Sequence, residues 1–188
     1  MTKIVPENAK KVFEGVLFDT YQWKQEMYDG SKAIFEKLVR KPSVEVIAIV
    51  DNKIIVLKQK QPGRENGFYG LPAGRVDDGE RMQQAAKREL LEETGYQSES
   101  MNLLVEFFGN SKIYFHEQVF IAQNCQKITE QKLDGGEKIE VEFWSFDQWL
   151  QLCRDTTSVM PFGYRMMMYE ALLDKDKKEE LKNKIFGR

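Results

Sequence analysis

The 188 residues include only one histidine and two cysteines, and that scarcity excludes several chemistries at once. Cys125 and Cys153 form no CxxC pair, no disulfide framework and no zinc-finger spacing, so a reducing cytoplasm is the expected setting. His116, inside KIYFHEQVF, has no histidine partner and reads as a structural strand residue. No stretch approaches the roughly 20 apolar residues of a membrane span. The opening MTKIVPENAKKVFEG lacks the apolar core of a signal peptide. Proline is missing between Pro72 and Pro161. Charge of one sign is missing too: 28 basic residues face 30 acidic ones, for a net charge of −2. Without a basic surplus there is no general attraction for nucleic acid, so any hold on phosphate is local or supplied by a cation.

What the chain does have is enough apolar residue, 41%, for one ordinary domain with a small addition at an end. Residues 1–41 read as an N-terminal β extension, because KVFEGVLFDTYQW and AIFEKLVR are aromatic and β-branched and YDGS between them signals a turn. Residues 42–188 read as the main domain. SVEVIAIV and KIIVLKQK carry apolar residues on both faces in places, as central strands covered on both sides do. QPGRENGFYGLPAG is a long turn-forming segment. A helix follows, with Asp78 or Gly79 expected as its N-cap and Gly95 as its stop. More strands come next, and MPFGYRMMMYEALLDKDKKEELKNKIF is expected as a terminal helix, with MMM as core packing. The fold class is α+β: strands around an internal helix, with more helix at the end.

The internal helix poses a chemical problem. Glu89 and Glu93 are four apart and Glu92 is three from Glu89, so three carboxylates share a face. Ala85, Ala86, Leu90 and Leu91 form the packing stripe, and Arg88 is placed to pair with Glu92. A solvated acidic face is the ordinary interpretation of such a helix. Here, crowded carboxylates with one arginine do not neutralise one another and cost stability unless a cation joins them. Oxygen-only donors suit Mg²⁺ or Mn²⁺ rather than zinc. Gly74, Glu80, Arg88, Glu89, Leu90, Glu92, Glu93, Gly95 and Tyr96 also stand in a fixed pattern. At a usage of roughly 7% per residue type, its seven fixed letters coincide by chance at about one start in 10⁸.

Those residues resemble the box of the Nudix hydrolase family, with Tyr96 as an aromatic stand-in at a usually aliphatic position. The resemblance implies a Nudix-type α/β/α sandwich with a mixed sheet, and hydrolysis of a nucleoside diphosphate linked to another moiety. It implies that Glu89, Glu92 and Glu93 hold Mg²⁺, or Mn²⁺, that Arg88 keeps a glutamate in place, and that Gly74 and Gly95 permit the turns. The cation would neutralise the diphosphate and lower the pKa of a water. Together with LPAG (Leu71–Gly74) and the β extension, the chain resembles the branch that hydrolyses ADP-ribose and nucleotide sugars. That likeness adds the carbonyl of Ala73 to the ligands. It also implies a homodimer whose N-terminal strands help build the partner's pocket.

Outside the box the signals are shorter. In LDGGEKIEV, Glu137 is either part of an acidic hairpin loop or, by the same likeness, the catalytic glutamate; Glu92 is the alternative proton acceptor. Arg64 in QPGRENG is a solubilising charge or a bidentate grip on phosphate. Trp23 is a core or interface tryptophan, or a platform for the base. ADP-ribose hydrolases usually carry a proline downstream of the box, where this chain reads FFGNSKIYF, so GDP-mannose or UDP-glucose stays open beside ADP-ribose. NADH, dinucleoside polyphosphates and nucleoside triphosphates remain alternative substrates. A non-catalytic nucleotide sensor of the same fold is the alternative of another class, although such sensors tend to lose box carboxylates and none is lost here. Messenger-RNA decapping calls for a basic surface that this chain lacks.

Overall fold

The computed structural model describes residues 4–158, 160 and 162–187. The chain divides into two compact units, Met1–Pro42 with Phe107–Glu117, and Ser43–Glu106 with Gln118–Arg188. The smaller unit is built on β1 (Lys10–Glu14), β2 (Phe18–Glu26) and β3 (Lys32–Arg40). β1 and β2 are antiparallel, as are β2 and β3, whose nine-residue register runs from Phe18↔Arg40 to Glu26↔Lys32. The turn expected at YDGS is present: Gly30, at φ 80°, closes it on the carbonyl of Met27.

The larger unit begins with β4 (Ser43–Val50), β5 (Lys53–Gln61), β6 (Arg64–Gly70) and β7 (Ala73–Arg75), and then α1 (Met82–Thr94). β8 (Tyr96–Gln97), β9 (Ser100–Asn110), β10 (Ile113–Gln123), β11 (Gln126–Lys127) and β12 (Lys138–Trp144) follow. α2 (Phe146–Leu150), a 3₁₀ turn (Gln151–Arg154), α3 (Phe162–Leu173) and α4 (Lys175–Phe186) complete the chain. The tips of β9 and β10 belong to the smaller unit, where Ile113 and Tyr114 pair in parallel with Leu38 and Val39 of β3. In the larger unit, β10, β4, β5 and β12 are successive neighbours, β6 joins β5, and β7 joins β4 antiparallel. With the parallel pairing of β3 and β10 beside these antiparallel ones, the strands make a mixed sheet, as expected.

Alternation along β4 sorts the core into two layers. Val44, Val46 and Ala48 point with Ile55 and Leu57 into one cluster with Ala85, Ala86 and Leu90 of α1. Ile47, Ile49, Ile54 and Val56, equally buried, turn to the opposite face. There α2 packs on β5 and β12, and Trp149, Tyr164, Met168 and Ile185 are fully enclosed. Helices on both faces explain why the two strands carry apolar residues on both sides.

Two boundaries differ from the sequence expectation. The N-cap of α1 is Arg81, not Asp78 or Gly79. Gly79 instead sits at φ 82° in a turn that returns the Glu80 N–H to the Asp77 carbonyl at 3.0 Å. Glu80 is held there by Arg88, so the helix starts after it, and Gln84 Oε1 accepts the Arg81 N–H at 3.1 Å. The terminal helix is two helices, broken at Asp174, whose carboxylate accepts the N–H groups of Asp176 and Lys177 and so starts α4. Only part of MMM is core: Met168 is enclosed and Met166 is exposed.

Gly95 ends α1 as expected, in the left-handed region at φ 76°, its N–H on the Leu91 carbonyl at 2.8 Å. A Cβ there would overlap the carbonyl of Thr129. Gly95→Ala combines that clash with a left-handed backbone penalty of about 1–2 kcal/mol. Urea unfolding is expected to show a loss of at least that size, with an unchanged slope; an unaltered midpoint would contradict the cap.

Candidate active site

The acidic side chains come from α1 and from the loop before β12. The backbone that crosses them comes from β7. The packing stripe of α1 presses Ala85, Ala86 and Leu90 into the core and leaves Glu89, Glu92 and Glu93 along the side that β7 passes. Gly74 is the crossing point, where a Cβ would overlap the carboxylate of Glu89. Only a residue without a side chain lets strand and acid share that space. One residue earlier, the Ala73 N–H donates to Glu93 Oε2 at 2.8 Å. Ala73 itself is exposed, whereas Glu93 is 5% exposed.

Arg88 organises the rest. Its Nε and Nη2 donate to the two oxygens of Glu80 at 3.1 and 3.0 Å, and Nη2 also reaches the Arg75 carbonyl at 2.8 Å. Its Nη1 donates to Glu89 Oε1 at 2.7 Å and to Glu92 Oε2 at 3.2 Å. One guanidinium thus spans three carboxylates and the strand before the helix. The pairing with Glu92 was legible from spacing; the fork onto Glu80, eight residues away, was not.

Glu137 lies in the loop Leu133–Glu137, where its N–H donates to the Asp134 carbonyl at 3.0 Å and its Oε2 accepts the Asp134 N–H at 3.3 Å. Electrostatics join it to the helix. Burial lifts the Glu93 carboxyl well above its ordinary range, the Ala73 N–H draws it partly back, and Glu89, Glu137 and Glu92 push it further. Burial also lifts Glu89, against the pull of Arg88, with added repulsion from Glu92 and Glu137. Glu137 is raised by burial, then by Asp134 and Glu92, against the Asp134 backbone hydrogen bond. Glu80 moves the other way, because Arg88 holds it below the usual carboxylate range.

The carboxylates of Glu89, Glu92, Glu93 and Glu137, of which Arg88 engages only Glu89 and Glu92, make a site that a hard cation suits, since every donor is oxygen. Among the described residues, no group of three or more His, Cys, Asp or Glu side chains is already drawn into a metal-ligand arrangement. Glu89, Glu92 and Glu93 are instead each engaged through one oxygen by Arg88 or Ala73. Their other oxygens make no hydrogen bond among the described residues.

Arg64 and Trp23 stand apart from this group. The Arg64 guanidinium carbon lies 3.6 Å from the ring centroid of Phe68, and Nη2 donates to the Thr157 carbonyl. It is therefore bound to protein partners. Trp23 is on β2 in the smaller unit, half-buried, with its indole N–H on Gln25 Oε1 at 3.0 Å and its ring 6.0 Å from that of Phe35. It lines a concavity of about 440 Å³ with Pro6, Glu36, Lys37 and Lys112. His116, also in the smaller unit, stacks on Phe108 at 4.3 Å, a packing role.

The sequence pattern of the NUDIX domain matches residues 39–160. The ADP-ribose pyrophosphatase of Bacillus subtilis (strain 168) is 33% identical over 138 residues, covering 70% of this chain and 73% of that protein. The methanol dehydrogenase activator of Bacillus methanolicus is 32% identical over 180 residues, covering 89% of this chain and 94% of that protein. The crystal structure of an ADP compounds hydrolase superposes with a TM-score of 0.66 at 22% identity, over 80% of this chain and 82% of that one, a likeness of fold.

The carboxyl shifts fix a pH dependence. Glu89, Glu93 and Glu137 have folded values raised above their unfolded ones, so the stability they lend metal-free protein is complete below the ordinary carboxylate range. It is lost as pH rises through the raised values. Glu80, depressed in the fold, contributes above that range and loses its share on acidification. The thermal midpoint of chelator-treated protein is expected to fall as pH rises from the carboxylate range toward neutrality. Glu93→Gln should flatten that decline; an equally steep decline in the variant would remove Glu93 as its main source.

Proposed function

The chain belongs to the Nudix hydrolase family and is an enzyme of phosphoanhydride bonds, and from that premise we propose that it is a Mg²⁺-dependent pyrophosphatase of nucleoside diphosphates linked to ribose or a sugar. The products are a nucleoside monophosphate and a sugar phosphate. The observation that carries this reading is the row of Glu89, Glu92 and Glu93 along one side of α1, with Arg88 donating to Glu89 and Glu92 and the Ala73 N–H to Glu93. ADP-ribose heads the candidates because a relative at 33% identity is named for it. The downstream segment without proline keeps nucleotide sugars beside it.

Glu89, Glu92, Glu93 and the Ala73 carbonyl would hold Mg²⁺ or Mn²⁺. Bound there, the cation supplies charge neutralisation for the diphosphate and a water acidic enough to attack near neutral pH. The chain's own groups do the rest. Arg88 keeps Glu89 and Glu92 aimed from one side while anchoring on Glu80 and the Arg75 carbonyl. The Ala73 N–H fixes Glu93 Oε2. Glu137 is the proton acceptor: it is outside the reach of Arg88, and burial raises its carboxyl toward the range in which a general base works best. Arg64 would exchange the Thr157 carbonyl for a phosphate oxygen, a stronger charge-assisted acceptor. Two free, buried cysteines suit a reducing cytoplasm.

The homodimer belongs to this proposal, with residues 1–41 as its dimerisation element and 42–188 as the hydrolase domain. In the smaller unit, Phe13 is 60% and Val16 77% exposed, with Val12 and Leu17 beside them. Trp23 would then stand ready to stack on the base. A second reading rests on the relative that matches 89% of this chain. By that likeness, the protein activates a dehydrogenase. Addition of the protein to an alcohol dehydrogenase assay, with and without Glu93→Gln, separates activation from hydrolysis.

The direct test is nucleoside monophosphate release from ADP-ribose, NADH, GDP-mannose, UDP-glucose, diadenosine polyphosphates and nucleoside triphosphates, in MgCl₂ and in EDTA. Turnover of a nucleoside diphosphate derivative in MgCl₂ only is expected. Glu93→Gln should lower kcat beyond the roughly 10–100-fold loss typical of residues that merely support ligands, with the fold retained. Near wild-type kcat at saturating Mg²⁺ would strike Glu93 from the ligands. Light scattering is expected to give twice the chain mass, and a monomer would remove the dimer.

A further inference from the structure

The segment between β11 and β12 closes the end of α1. Ile128 and Thr129 donate their N–H groups to the Gly95 carbonyl at 2.9 and 3.3 Å, and Lys132 donates to the Glu92 carbonyl at 2.8 Å. Between them, Gln131 does something no other side chain here does. Its Nε2 donates to the Glu93 carbonyl at 2.6 Å and to the Ile139 carbonyl at 3.3 Å. Both hydrogens of the amide are thereby engaged. One goes to the residue that carries the buried carboxylate, the other to the second residue of β12.

The loop that leaves and returns at this clamp is Leu133–Lys138, and it carries Glu137. Its ends are held, Leu133 against the core cluster and Lys138 in the ladder opposite Lys60, but its tip is open. A Cβ at Gly135 would meet nothing within 4 Å, and one at Gly136 would meet the ring of Pro62. The internal hydrogen bonds between Asp134 and Glu137 shape the loop but tie it to nothing outside itself. Its placement relative to α1 is therefore set at its root: by Leu133 in the core and the Lys132 N–H on one side, by the pairing of Lys138 on the other, and by Gln131 across both.

We propose that Gln131 is a positioning residue for the reaction: its carboxamide clamps the root of the Glu137 loop to the backbone of Glu93 and so fixes the proton acceptor against the metal-holding carboxylates. The inference rests on the reading of Glu137 as proton acceptor. Both targets are carbonyl oxygens, so the clamp needs N–H donors at this reach. Methionine has the length without the donors. Asparagine has the donors one methylene too short. Lysine has both.

The test compares wild type, Gln131→Met, Glu137→Gln and the double variant, with Gln131→Asn as a second loss of span and Gln131→Lys as rescue. Two sets of measurements are made: steady-state kinetics (kcat and KM) on the nucleotide turned over in the screen at saturating MgCl₂, and hydrogen exchange of amides 133–138 in metal-free protein. Gln131→Met is expected to lower kcat about tenfold, the scale of an outer partner of a site, with KM little changed. It should speed exchange in 133–138 and leave α1 and β4 unaltered. In the Glu137→Gln background it should cost nothing further, because the group it positions is already gone. Lysine should restore both readouts. Equal losses of kcat in the two backgrounds, or unchanged loop exchange, would overturn the clamp while leaving Glu137 in place. Wild-type kcat in Glu137→Gln alone would instead bring down the Glu137 reading and the clamp with it. Should Gln131→Met not fold, Gln131→Asn carries the same comparison.

Discussion

Arg88 brings one positive charge and a fixed fork of N–H groups to a place where Glu80, Glu89 and Glu92 converge. Because the fork is planar and rigid, engaging Glu80 with Nε and Nη2 determines where Nη1 points, and Nη1 finds Glu89 and Glu92. The contact with the Arg75 carbonyl then fastens β7 to the same group. Without that guanidinium, the carboxylates of Glu80, Glu89 and Glu92 would repel, and the strand that crosses them would lose its anchor. The arginine compensates the acids only in part, since Glu89 stays raised by burial, Glu92 and Glu137, and Glu93 by burial and by Glu89, Glu137 and Glu92. A divalent cation would relieve that residual repulsion.

Much of this was legible in the chain. The 3.6-residue period gave the shared face of Glu89, Glu92 and Glu93 and the pairing of Arg88 with Glu92. The left-handed stop at Gly95 followed from the lack of a side chain. Two apolar strands implied cover on both sides, and helices lie on both sides. What was not legible depends on contacts between residues distant in sequence. Gln131 meets Glu93 across 38 positions, and Arg64 meets Thr157 across 93; no local pattern announces either. The start of α1 was misplaced for a related reason. Gly79 and Asp78 have the chemistry of caps, but Glu80 is held by an arginine two turns further on, and that tertiary contact outweighed the local preference.

β4 holds a finding of the same kind. SVEVIAIV reads as an apolar strand interrupted by an acid, and Glu45 is 3% exposed inside it. It pairs across the ladder with Ala73 and shares the layer of Tyr164, whose hydroxyl is pushed up by burial and then by the Glu45 charge. A carboxylate in the most buried strand of the unit is costly unless its surroundings are polar. Here Trp149 and Tyr164 bring an indole N–H and a hydroxyl into an otherwise largely aliphatic layer, so that face of the sheet is not a simple apolar core.

Gly74 links two letters of the chain that look independent on paper. Its missing side chain is the space that the Glu89 carboxylate fills, so any larger residue at 74 evicts the acid, and any bulkier residue at 89 presses on the strand. The two positions therefore make up a single mutational unit. A lineage that loses the glycine has little left to gain by keeping the glutamate, and drift at this crossing should erase both together rather than one at a time.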